Sequence, residues 1–158
     1  MKRGGVAGKV KRFDKKLHSK YDIDARQMLK NVLGDAIIDN EDIYGEDMIF
    51  TANPFPYKYL EVQVLSTWST SQFPYSFPFV YARKMLFSKD TLFVTFNKFL
   101  TEAIVFGRTS LDEKPSRLKK YDRECVHYVS WHKALRVNTS DLTISNIKLY
   151  SGDFSEEE

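Results

Sequence analysis

Apolar positions recur along residues 23–34 (IDARQMLKNVLG) at Ala25, Met28, Leu29, Val32 and Leu33. Offsets of three, four, seven and eight residues put them on one helical face, so the spacing predicts a helix with one buried stripe. Asp24 reads as its N-terminal residue and Gly34 as its stop. Residues 39–45 are polar and read as a loop. The period then changes. Asp47-Met-Ile-Phe-Thr is short and apolar, Asn53-Pro-Phe-Pro interrupts it, and Tyr57–Leu65 (YKYLEVQVL) alternates and is rich in β-formers. Two neighbouring strands, antiparallel across a turn region, are expected. Phe73–Phe79 (FPYSFPF) reads as a proline-broken aromatic loop, and residues 79–87 (FVYARKMLF) as a second helix after Pro78. Thr91–Phe96 (TLFVTF) has the continuous apolar character of a buried strand. Residues 99–106 suit strand or helix equally, 111–124 form a charged connection, and Cys125–Val129 and Leu142–Leu149 read as strands. This order predicts an α/β (α+β) domain with a central mixed β-sheet flanked by helices.

Length and composition narrow the class. A chain of 158 residues has room for one sizeable core, and 42% hydrophobic with 28% charged residues excludes a wholly disordered chain. No apolar run approaches the roughly 18 residues of a membrane-crossing helix. The start, MKRGGVAGKVKRF, lacks the apolar segment of a secretory signal. A single cysteine, Cys125, excludes an internal disulfide framework and a cysteine-based zinc site. The expectation is a soluble intracellular protein of a reducing compartment, nucleus or cytoplasm.

Charge is unevenly placed. Residues 1–20 carry eight lysines and arginines against Asp14 alone, a net +7, while 153–158 carry four acids, so 21–152 is neutral. The chain therefore divides into a flexible basic arm (1–20), one domain (21–152) and an acidic tail (153–158). Three glycines in the arm fit a polyanion contact, with Lys9, Lys11, Arg12, Lys15 and Lys16 as phosphate ligands. A solubilising or nuclear-targeting tail fits the same composition equally well.

The chemistry concentrates in Leu60-Glu61-Val62-Gln63-Val64. Alternation sends Leu60, Val62 and Val64 to one face and Glu61 with Gln63 to the other. A carboxylate inside such an apolar run is costly unless a cation or hydrogen bonds compensate it. Fourteen residues earlier Asp47 opens the preceding strand, and hairpin pairing brings it beside Glu61. A one-residue slip would present Glu46 instead. Two carboxylates and a backbone carbonyl form an oxygen-rich site suited to Mg²⁺ or Mn²⁺.

Asp47 followed by Glu61-x-Gln63, with a helix before and a helix and strands after, resembles the PD-(D/E)XK, or restriction-endonuclease-like, nuclease superfamily over residues 22–97. The resemblance implies a restriction-endonuclease-like core and metal-dependent hydrolysis of DNA phosphodiester bonds. Asp47 and Glu61 would be the metal ligands, and Asp24 an additional acid from the first helix. It also implies a homodimer, the arrangement with which many members cut two strands. Gln63 stands where the family has lysine; it can orient water but supplies no charge. Lys84 is the favoured compensating cation, ahead of Arg83 and Lys58, and Arg83 is also a phosphate contact. In overall character the chain also looks like a protein of a large DNA virus.

Two rival classes fit the same residues. One is a catalytically inactive nucleic-acid-binding or virion protein on a nuclease-like scaffold, which the missing lysine favours. The other is an interaction module without a nucleic-acid role. His18, His127 and His132 lack ligand spacing, and Cys125 lacks a base partner. Phe73, Tyr75, Phe77, Phe79 and Tyr81 either stack on bases or, more in keeping with their type, cap a core.

Overall fold

The computed structural model describes residues 15–42, 44–51, 57–108, 111, 116–117 and 125–149. Its elements are helix α1 (Lys15–Leu33), strands β1 (Ile37–Asp39), β2 (Met48–Phe50), β3 (Tyr59–Val64), β4 (Phe79–Tyr81), β5 (Thr91–Phe96), β6 (Glu102–Gly107), β7 (Ser116–Arg117), β8 (Cys125–Tyr128) and β9 (Leu135–Asn138), and helix α2 (Ile144–Leu149). The expected fold class is observed. A six-stranded mixed sheet runs β1-β2-β3-β5-β6-β9, and a three-stranded sheet runs β4-β8-β7. Among the described residues the strand pairings are antiparallel except β3 with β5, which are parallel with Glu61 beside Phe93 and Gln63 beside Thr95.

Strand alternation gives the central sheet two apolar faces. Leu60, Val62, Leu92, Val94, Phe96, Ala103 and Val105 pack against Ala25, Leu29 and Leu33 of α1 and Ile147 of α2. Phe93, Ile104 and Phe106 point the other way, onto Phe79, Val80 and Val126 of the small sheet and onto Trp68 and Phe73. Both faces being covered explains why β5 is buried at every position. Burial of two such layers is the main driving force for the fold.

The apolar stripe predicted for the first helix is the one α1 buries. Gly34 ends it at φ +59°, a left-handed conformation that glycine adopts without strain. α1 nevertheless starts at Lys15, nine residues before Asp24, which is therefore inside the helix rather than at its start. Lys15, Lys16 and Lys20 belong to α1 and not to a flexible arm; residues 1–14 and the tail at 153–158 lie outside the described residues.

Three further expectations are corrected. Residues 79–81 of the predicted second helix form strand β4, and only Ala82–Leu86 are helical, as a 3₁₀ segment. Val80 and Phe79 are β-formers whose burial in the small sheet outweighs the N-terminal proline signal. Ile144–Leu149 is helix α2 and not a strand, because Leu142 and Ile147 bury their side chains against the α1 face of the sheet. Asp39, placed in a loop, ends β1, where it accepts an ion pair from Lys30 of α1. Residues 102–107, left open between strand and helix, are β6.

Candidate active site

β2 and β3 pair antiparallel with Met48 opposite Leu60, which carries Asp47 alongside Glu61. The backbone N–H of Asp47 donates to Glu61 Oε1 at 3.0 Å, and the N–H of Val62 donates to Asp47 Oδ2 at 2.9 Å. Each acid is thus fixed by the other strand's backbone. Glu61 is buried and Asp47 half-buried, on the sheet face covered by the small sheet.

Lys84 enters this pair from the 3₁₀ segment after β4. Its Nζ lies 3.0 Å from Glu61 Oε2 and 3.4 Å from the Val62 carbonyl oxygen. The lysine side chain is 14% exposed and the glutamate 7%, so this ion pair is shielded from solvent rather than a surface contact. Two acids and one cation leave the cluster one positive charge short when both acids are ionised. The electrostatics reflect that shortage. Asp47 is pushed up from 3.8 to about 7, first by burial and then by the Glu61 charge; the Val62 N–H bond and Lys84 oppose the rise.

Glu46, the alternative to Asp47 in a slipped register, turns elsewhere. It is buried and accepts hydrogen bonds from Ser88 N–H at 2.9 Å and Thr91 Oγ1 at 2.8 Å, tying the approach to β2 to the approach to β5. Gln63 shares the Glu61 face but its amide is committed. Nε2 donates to the Phe79 carbonyl oxygen at 3.1 Å and lies 3.4 Å from Thr95 Oγ1, while Oε1 is buried without a partner. Asp24 is exposed on α1, which covers the opposite face of the sheet, so the structure does not bring it to Asp47 and Glu61. Arg83 is exposed, with its guanidinium 4.8 Å from the centre of the Tyr81 ring. Lys9, Lys11 and Arg12 lie outside the described residues.

Of the aromatic run, Phe73 and Phe79 are core residues, Tyr75 and Tyr81 pack against that core, and Phe77 is exposed. Thr95 and the Phe79 carbonyl, which hold Gln63, escaped the sequence reading. Thr95 had a usable signal: it shares the parity of Phe93, and the parallel register puts that parity on the Glu61 face.

The two carboxylates and the Val62 carbonyl are oxygen donors of the kind a hard divalent ion takes, and in this arrangement Glu61 Oε1 and Oε2, Asp47 Oδ2 and that carbonyl accept from Asp47 N–H, Lys84 and Val62 N–H. Among the described residues no group of three or more histidine, cysteine, aspartate or glutamate side chains is placed to hold a metal ion. Among the described residues, too, no helix is long and apolar enough to cross a membrane. Comparison with protein-family models, with curated proteins and with solved structures found no match.

Proposed function

We propose that the chain is a divalent-metal-dependent nuclease acting on DNA, on a restriction-endonuclease-like core. The observation that supports it best is the convergence of Asp47 and Glu61 from paired strands with Lys84 Nζ 3.0 Å from Glu61. Asp47 and Glu61 would hold Mg²⁺ or Mn²⁺. The bound ion would lower the pKa of a water and stabilise charge on the phosphodiester. Lys84 supplies the charge that Gln63 lacks, from a neighbouring segment instead of the strand. The donor side of Gln63 is spent on Phe79 and Thr95, which leaves its buried Oε1 as an acceptor for a water. Arg83 and the basic residues at 1–20 would contact phosphates without reading sequence. Two copies would pair to cut both strands.

The second reading is a catalytically inactive nucleic-acid-binding or virion protein. It is favoured by Lys84 itself, which already neutralises Glu61 without a metal. Incubation of supercoiled plasmid with Mg²⁺ or Mn²⁺ separates the two. The nuclease reading expects nicking that falls at least about 100-fold in Glu61→Gln and Lys84→Met, the loss typical of a removed charge stabiliser. Binding of DNA with no nicking by the unaltered protein supports the inactive scaffold.

A further inference from the structure

Residues 61, 62 and 63 of β3 engage one stretch of chain in succession. Glu61 Oε2 pairs with Lys84 Nζ, the Val62 carbonyl accepts from the same Nζ, and Gln63 Nε2 donates to the Phe79 carbonyl oxygen. Phe79 opens β4, and β4 runs directly into the 3₁₀ segment Ala82–Leu86 that carries Lys84. Gln63 therefore grips the base of the arm whose tip is Lys84. Its amide cannot be turned round without facing its oxygen to the Phe79 carbonyl, so the donor role is set by the neighbour.

We propose that Gln63 is a positioning residue for Lys84. It fixes the start of β4 on the central sheet so that the lysine amine reaches Glu61 and the Val62 carbonyl. The proposal rests on the nuclease reading for its functional meaning, but its physical content is the placement of one amine. Among the described residues the small sheet has three strands, and β4 has three residues. Pairing with β8 and the burial of Phe79 and Val80 hold β4 in the small sheet, and the Gln63 side chain adds a directed hydrogen bond to it from the large sheet. Thr95 Oγ1 backs the amide from the next strand. A lysine at position 63 would place the charge on β3 itself; glutamine there and lysine at 84 divide the work between a holder and a charge.

The test is the accessibility of Lys84 to a water-soluble amine-acylating reagent, read residue by residue by mass spectrometry on the full chain. Exposed Lys58 and Lys89 serve as internal references. Gln63→Met keeps the side-chain length and removes the donor. It should raise Lys84 labelling about fivefold relative to the references, the effect of losing one buried hydrogen bond. Lys84 labelling unchanged in a folded Gln63→Met variant overturns the proposal, and does so most plainly if plasmid nicking falls at the same time, because Gln63 would then act on water or substrate and not through Lys84. Should Gln63→Met fail to fold, Gln63→Leu also removes the donor to the Phe79 carbonyl and is read identically: raised Lys84 labelling supports the role, unchanged labelling removes it. Absence of nicking by the unaltered protein would sink the nuclease reading while leaving this labelling ratio to stand or fall alone.

Discussion

Asp47 and Glu61 hold each other through the backbone: Asp47 N–H donates to Glu61 Oε1, and Val62 N–H, one residue past Glu61, donates to Asp47 Oδ2. This reciprocal pairing forces two carboxyl groups together at the edge of a buried layer. Burial first, and the neighbouring Glu61 charge second, raise the pKa of Asp47.

Asp47 contributes to stability with a definite sign. Its carboxyl titrates near 7 in the folded chain and at 3.8 when unfolded, so the folded state binds the extra proton between those values. Its contribution is therefore full below pH 3.8 and is lost as pH rises through 7. Asp47→Asn keeps an acceptor for Val62 and removes the charge. It should be more stable than the unaltered protein at pH 8 by about 2–4 kcal/mol, and close to it at pH 4. Urea unfolding at both pH values measures the difference.

Lys84→Met leaves Glu61 buried beside Asp47 with no cation. Breaking a buried pair from one side costs about 3–5 kcal/mol. The cost should fall well short of additive when Glu61→Gln is added, since the stranded charge is then gone. Denaturant unfolding of the two single variants and the double variant completes the cycle.

Gly34 tests the end of α1 separately from the site. Nothing lies within 4 Å of a Cβ built there, so Gly34→Ala meets no clash and carries only the strain of φ +59°. A loss of about 1 kcal/mol in thermal or urea unfolding is expected, with Asp47 and Glu61 undisturbed.

The sequence made the α1 stripe, the β2–β3 pairing and the buried β5 legible because each is a strong periodic signal. It also brought out Asp47 and Glu61 as neighbours, whereas Lys84 was the favoured of three cations that the resemblance implied and lies on a 3₁₀ segment instead of the expected helix. Asp24 was misplaced because helical periodicity reveals which face is buried, not which side of the sheet it covers. Strand β4 was read as helix because Pro78 is a local signal, whereas the partner of β4 is β8, more than forty residues on. Helix α2 reads as a strand for a different reason: six residues are too few for periodicity to separate the two. The grip of Gln63 on Phe79 is a contact between two sheets, and no pattern along one chain segment encodes it.

Metal affinity should depend on pH through Asp47. The ion competes with the proton held near pH 7, so affinity falls about tenfold for each pH unit below that value and levels off above it. Calorimetry in buffers of differing ionisation enthalpy should show about one proton released per ion at pH 6 and almost none at pH 8.5.

The most direct measurement is Mn²⁺ uptake at pH 8 by the unaltered protein and by Asp47→Asn and Glu61→Gln. One ion bound per chain, lost in both variants while each remains folded, is the predicted result. No uptake by the unaltered protein, or uptake that both variants retain, contradicts a metal centre built on this pair of acids.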